Sequence, residues 1–251
     1  MIMEYHRPKT IEEAVRLVGR EEPKTVPMGG GTVLNSGLER DIAVVDLQDL
    51  ALDQIEVKGN QTIIGAAATL ESIARFDGIH ESLVTATKLE VAKNIRQVAT
   101  IAGALIASDG RSPFSTVMLA LDVELLMLPG DEKIRLGNLL PLRWELLKGK
   151  LIKEIAVPNN IKIAFEYVAR SKADKPIVSA AVARWNSGRT RIVLGGYGNE
   201  PVLVLDGKDD LQIEEVVRMA FSDAGDEWAS AEYRSEVAAV LVNRCLDQVG
   251  E

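Results

Sequence analysis

Two short segments hold the residues best suited to chemistry in this chain. The first is Met28-Gly29-Gly30-Gly31-Thr32-Val33-Leu34, and the second, about seventy residues later, is Val98-Ala99-Thr100-Ile101-Ala102-Gly103-Ala104. Each places small residues and a threonine hydroxyl directly after or within an apolar run. Consecutive glycines allow positive φ angles and let a ligand approach the main chain, so backbone N–H groups can converge on an anion such as a pyrophosphate. A glycine triplet also serves as a tight strand-to-helix turn without any ligand. The second loop is what favours binding, and two such loops imply one large phosphate-bearing cofactor held between two lobes.

The elements that must position these loops are legible in part. Thr10 and Glu13 form a capping box for an amphipathic helix with Ile11, Ala14, Val15, Leu17 and Val18 inward, ending near Gly19. Thr25 to Met28 is a short strand feeding the glycines, and the apolar, β-branched run 42–47 suits a buried strand. Lys58-Gly59-Asn60-Gln61 joins two strands as a hairpin, Thr69 starts a short helix through Ala74, and a second helix covers Ser82 to Lys93. The apolar stretch Met118 to Leu128 ends at a turn, Pro129-Gly130-Asp131. From Ile152 onward the pattern becomes strands at 152–157, 161–170, 177–185 and 190–196, followed by helices near 211–223 and 230–248. Strands followed by helices describe an α+β unit. A boundary falls near 150, giving one domain over 1–150, with lobes of about 1–57 and 58–150, and a smaller C-terminal domain over 151–251.

Composition narrows the function classes. The 251 residues carry a net charge of −8 and are 47% hydrophobic, which suits a globular protein and opposes binding to a phosphate backbone. One cysteine, Cys245, excludes an intramolecular disulfide and any Cys-ligated zinc or iron–sulfur site within the chain. No signal-like or membrane-length apolar run is present, so the expected location is cytoplasmic. The two histidines, His6 and His80, lie beside no plausible nucleophile, and no proton-transferring triad or metal site is assigned. Cys245 reads as a small buried hydrophobe and Trp144, Trp185 and Trp228 as packing anchors. Asp209-Asp210 and Glu214-Glu215 read as a helix start and its solvated face.

Several motifs occur in an order that points to a family. They are Gly29 to Leu34, Val45-Asp46-Leu47, Ile64-Gly65-Ala66 before Thr69, Ile95 to Ile101, Leu119-Ala120-Leu121-Asp122, Ile155-Ala156-Val157-Pro158 and Ser230-Ala231-Glu232-Tyr233-Arg234. In that order the whole chain resembles the FAD-binding medium subunit of molybdenum hydroxylases, the group of the xanthine dehydrogenase FAD subunit and the carbon monoxide dehydrogenase medium subunit. The resemblance implies an α+β fold: a two-lobed FAD-binding domain of the vanillyl-alcohol-oxidase (PCMH) type and a C-terminal domain closing over the flavin. It implies an electron-transfer subunit of a molybdopterin-dependent oxidoreductase. The expected partners are a large molybdopterin-binding subunit and a small [2Fe–2S] subunit, with electrons leaving the FAD for NAD⁺ or another acceptor.

By the same resemblance, Met28, Gly29, Gly30, Gly31, Thr32, Val33 and Leu34 form the first pyrophosphate loop, and Thr100, Ile101, Gly103 and Ala104 the second. Ser108, Asp109 and Arg111 follow in the second loop, and Ile152 and Lys153 lie near the position that touches the isoalloxazine edge, against the competing and favoured reading of Ile152 as core and Lys153 as a solvated strand residue. The chain departs from the family pattern at Val33, Ala102, Ala104 and Pro113, and lacks the lysine often found near Glu166-Tyr167. These departures motivate an alternative, in which the fold is kept, flavin binding is weakened or lost, and the chain acts as a structural or assembly subunit.

Overall fold

The computed structural model describes residues 1–34, 41–171, 174–208 and 212–250. Asp209 and Asp210, read above as a helix start, lie outside the described residues. The chain divides into two compact units that interleave along the sequence. The first comprises Met1–Phe76, Lys93–Ala107 and Glu124–Val157; the second comprises Asp77–Ala92, Ser108–Val123 and the chain from Pro158 on.

The first unit holds two sheets. β1 (Ile2–His6), β2 (Thr25–Met28) and β3 (Ile42–Asp46) form a parallel sheet in the order β1-β3-β2. Every residue of β3 is buried, as a central parallel strand covered on both faces requires. Helix Ile11–Val18 packs against this sheet, with Thr10 accepting from the Glu13 amide and the Glu13 carboxylate accepting from the Lys9 amide. Ala14, Val18, Val45, Leu47, Leu50 and Leu151 share one apolar cluster. The second sheet runs β4 (Ile55–Lys58), β5 (Gln61–Gly65), β8 (Leu151–Pro158), β6 (Glu124–Leu128) and β7 (Glu132–Arg135), in that spatial order. Short hairpins at 58–61 and 128–132 join β4 to β5 and β6 to β7.

The second unit is an antiparallel sheet of β9 (Ile161–Val168), β10 (Val178–Trp185), β11 (Arg189–Gly195) and β12 (Val202–Lys208), in the order β12-β11-β10-β9. Helices Ile213–Ala220 and Ala231–Gly250 pack together, and their Val217, Leu241, Val242 and Cys245, with Phe221 just beyond the first helix, join Val178, Ala180, Val182, Ile192 and Leu194 of the sheet. Helix Pro113–Ala120 packs on β10 and β11 and against helix Glu81–Glu90. All eight of its residues are buried, which matches its being uncharged and mostly apolar, with the Thr116 hydroxyl donating to Ser112 O.

Three sequence readings change. The apolar run 118–128 splits: a helix ends at Ala120, Asp122 takes φ 53°, and β6 begins at Glu124. The helix expected over 82–93 stops at Glu90, because Val91 is extended and a separate turn of helix, Lys93–Arg96, follows in the first unit. Trp144 is 71% exposed rather than a packing anchor, whereas Cys245 is fully buried. No helix among the described residues is long and apolar enough to cross a membrane.

Candidate functional site

The two glycine-bearing loops meet inside the first unit. β2 ends at Met28, whose carbonyl accepts from the Leu47 amide at 3.1 Å, and the chain then leaves the sheet through Gly29, Gly30 and Gly31. A Cβ on Gly29 would lie 2.5 Å from Thr100 Oγ1, and one on Gly30 would lie 1.7 Å from the Val98 carbonyl oxygen. Those two positions are therefore glycine because the second loop presses on them. Gly31 is glycine for a different reason, a left-handed φ of 66°.

Among the described residues, the amides of Gly29, Gly30, Gly31 and Thr32 have no hydrogen-bond acceptor. Gly30 and Thr32 are exposed, and Gly29 and Gly31 are partly so. Four successive unclaimed main-chain donors, one on a left-handed residue, are the kind of group that can take up phosphate oxygens.

The second loop is built differently. Thr100 caps helix Ile101–Ile106 by accepting from the Gly103 amide at 3.3 Å. The Ile101 amide donates to Ala68 O at 2.8 Å, the Ala102 amide to Ala66 O at 3.2 Å, and the Ala104 amide to Thr100 O at 2.9 Å. Its amides are thus committed to docking and capping, which differs from the sequence-based picture of two equivalent amide cradles. What the second loop offers is the Thr100 hydroxyl hydrogen, which has no acceptor among the described residues.

Residues 66–68 follow a motif named in the sequence, Ile64-Gly65-Ala66, to which sequence reasoning gave no structural role. Leu70 donates to Ala99 O and Ala66 to Lys153 O, both at 2.9 Å, so this turn ties the second loop to β8. The signal was present in Ile64-Gly65-Ala66-Ala67-Ala68-Thr69: a glycine whose Cβ would meet Leu52 O at 2.2 Å, then alanines small enough to admit a crossing backbone, then a helix cap. Beside the loop, Arg96 donates to Glu71 at 3.0 Å, and that bond holds the Glu71 carboxyl below its ordinary value.

On β8, Ile152 is 6% exposed and packs as core. Lys153 is partly exposed, and its ammonium has no ion-pair partner among the described residues. Val33 is 52% exposed, and Leu34 is partly buried at the end of the described first loop. Ser108, Asp109 and Arg111 belong to the second unit. Ser108 is buried there, and Asp109 pairs with Lys175 at 3.2 Å. The Arg111 guanidinium donates to the carbonyls of Lys175 and Pro176 and lies 4.4 Å from the Trp228 ring. Its Nε and Nη2 donors are thus engaged with protein.

Among the described residues, neither histidine belongs to the loop cluster. His6 interacts with Glu4 and Arg20, and His80 with the Pro158 carbonyl. Among the described residues no group of His, Cys, Asp or Glu side chains could hold a metal ion. The arrangement is chemically a binder of an anionic ligand.

The chain is similar to several known proteins. The profile of a family described as the FAD binding domain in molybdopterin dehydrogenase matches residues 1–160. The protein YgfM of Escherichia coli strain K12 is 29% identical over 250 residues, covering 96% of this chain and 94% of that protein. The carbon monoxide dehydrogenase medium chain of Afipia carboxidovorans is 26% identical over 276 residues, covering 98% and 96%. A chain of the reconstituted CO dehydrogenase from Oligotropha carboxidovorans superimposes with a TM-score of 0.81 at 23% identity, covering 98% of this chain and 96% of that one.

Proposed function

Because the chain belongs to the family of FAD-binding domains of molybdopterin dehydrogenases, we propose that it is the electron-transfer subunit of such a complex and grips its FAD chiefly by the first loop. The carrying observation is the row of unclaimed amides at Gly29, Gly30, Gly31 and Thr32. These residues suit the diphosphate, since they offer donors with a positive field and no competing carboxylate. The Thr100 hydroxyl adds a donor from the buttressing loop. Lys153 supplies a positive charge on the strand that anchors that buttress. A bound flavin supplies the ability to accept electrons singly and release them as a pair, while the protein contributes binding, orientation and exclusion of water.

The reading of the wider assembly is supported by the names of the relatives. Carbon monoxide dehydrogenase, glyceraldehyde dehydrogenase and nicotine 6-hydroxylase relatives are named as medium chains or subunits. That naming supports partners for this chain: a large molybdopterin-binding subunit and a small subunit with [2Fe–2S] clusters, from which electrons reach the FAD and then NAD⁺ or another acceptor.

The test is direct. Purified full-length chain is expected to be yellow, or to become so with added FAD, and to co-purify with the two partner subunits when all three are co-expressed. A preparation that stays colourless in excess FAD while remaining folded overturns the proposal and favours a structural subunit that has kept the fold alone.

A further inference from the structure

The second unit carries a groove of about 370 Å³ that flavin binding by the first loop does not use. Its walls are the start of helix Glu81–Glu90 with His80, β9 at Ile163 and Phe165, and Gln248 of helix Ala231–Gly250. The volume is at the lower end of the range for small-ligand sites and has room for one amino-acid-sized group.

The hydrogen bonds already made there decide what the groove has left to offer. The Pro158 carbonyl can only accept, so the 2.8 Å contact from His80 Nε2 places the ring hydrogen on that atom, and in the neutral ring Nδ1 keeps its lone pair. Ser82 Oγ spends its hydrogen on Ile163 O at 2.9 Å, which leaves the hydroxyl oxygen as an acceptor. Gln248 Nε2 donates to Glu166 Oε1 at 2.7 Å and leaves its own Oε1 unclaimed among the described residues. Of the side-chain donors, only the Thr85 hydroxyl and the second Gln248 N–H stay uncommitted among the described residues. The remaining capacity is therefore mostly that of an acceptor.

Charge points the same way. Glu81 is exposed, its carboxylate has no partner among the described residues, and it is the one acidic or basic side chain besides His80 in the walls. Its full negative charge outweighs the positive end of helix 81–90, worth about half a unit. Glu166, held by Gln248, adds a second carboxylate nearby. Lys162 alternates to the strand face opposite Ile163 and Phe165. Phe165 is half-buried and stacked on Tyr167, with ring centroids 5.8 Å apart, and its π surface attracts cations.

We propose that this groove binds a guanidinium group, with His80 Nδ1, Ser82 Oγ and Gln248 Oε1 as acceptors, Glu81 as counter-charge and Phe165 as the aromatic surface. A guanidinium suits the set better than an ammonium because it has five N–H donors, is flat and is weakly hydrated. The group can arrive on a free metabolite or on an arginine side chain of another protein.

Nuclear magnetic resonance titration of the isotopically labelled full-length chain tests this with two probes, agmatine and N-acetylarginine N-methylamide. Saturable shifts are expected at the amides of residues 80–85, 163–165 and 248. Glu81→Gln, a change at an exposed position, should weaken binding about fivefold, and Phe165→Leu about threefold. The citrulline analogue of the second probe, which has the same shape without the charge, should not saturate. Binding of N-acetylarginine N-methylamide assigns the groove to a protein-borne arginine, and binding of agmatine alone assigns it to a free guanidinium compound. Shifts that are scattered or do not saturate with either probe, or equal affinities for Glu81→Gln and the unaltered chain, overturn the site. No readout depends on bound FAD, so its failure is distinct from failure of the flavin assignment.

Discussion

Single residues decide whether the first loop can form. Gly30 faces backbone, which cannot swing away, so in Gly30→Ala one of the two loops must move to relieve a 1.7 Å approach to Val98 O. We expect Gly30→Ala to fold but to lose FAD affinity by about a hundredfold or more, equivalent to roughly 2.8 kcal/mol, measured by quenching of flavin fluorescence. Gly31→Ala meets Met28 Sδ only at 3.5 Å and suffers mainly from its φ of 66°, a penalty of about 1–2 kcal/mol. Its affinity should therefore fall less. Equal affinities for Gly30→Ala and the unaltered chain would show that the loops do not buttress one another. Thr100→Val separates two roles of one hydroxyl. Loss of the helix cap should lower stability of the FAD-free protein by about 1 kcal/mol, and any further loss seen only with FAD bound reports the hydroxyl as a donor to the ligand. At this scale the sequence announces that glycines are needed but not why. The reason for Gly29 and Gly30 lies in a segment some seventy residues away, and the commitment of the Ile101 and Ala102 amides depends on the alanine turn that receives them.

Elements are held in place by buried charges whose partners are spread along the chain. Arg191, 3% exposed, donates to Leu119 O at the end of helix 113–120 and pairs with Asp122 and Asp206, while Arg189 bridges the same two carboxylates. Hydrogen bonding from Arg189, with the charge of Arg191, holds the Asp206 carboxyl below its ordinary value. A lowered carboxyl contributes stability above its unfolded value and loses it as pH falls through its folded value. Asp206→Asn should thus be about 1.5–3 kcal/mol less stable near neutrality, and its melting temperature should fall less steeply than that of the unaltered protein on acidification below pH 3.8, the unshifted carboxyl value. Parallel melting curves at all pH values would refute the assignment. Arg234 is fully buried and donates to the carbonyls of Ile177, Ala224 and Ala229 and to Asp226. Arg234→Met should cost about 3–5 kcal/mol by leaving Asp226 and those carbonyls unmatched, seen as a large drop in calorimetric melting temperature. The Ser230 to Arg234 motif was readable as a family mark, yet its physical content, a guanidinium knitting loops together, was not. Strands β9, β10 and β11 were legible because apolar runs met clear turns. β12 was missed because Val202–Lys208 is an edge strand with exposed and half-buried residues and no clean alternation. The end of helix 81–90 was misplaced because its cause is the passage of the chain from one unit to the other, which leaves no local periodic mark.

At the scale of the whole molecule the interleaving itself has consequences. The chain passes between the two units after Phe76, Ala92, Ala107, Val123 and Val157. The amide-lined first loop lies in the first unit and Cys245 in the second. Segments that alternate so often are covalently tied at each passage, so neither unit is a contiguous stretch able to unfold while the rest of the chain keeps its course. Unfolding should then be a single cooperative event. Cys245 provides the readout. It is fully buried in the core of the second unit, and burial pushes its thiol up to about 12. A native thiol in that state is inert near neutral pH, so modification reports opening of the second unit. Any ligand that binds only the folded chain lowers the open fraction by the factor 1 + [L]/Kd. With FAD at a hundred times its Kd, labelling of Cys245 should slow about a hundredfold, or about 2.7 kcal/mol, although the thiol and the first loop belong to different units. The same FAD addition should slow labelling of Gly30→Ala only about twofold or less, which separates linkage through binding from a general solvent effect. If FAD binds the unaltered protein yet leaves Cys245 labelling at its original rate, the two units open independently and the single-event picture of this chain is wrong.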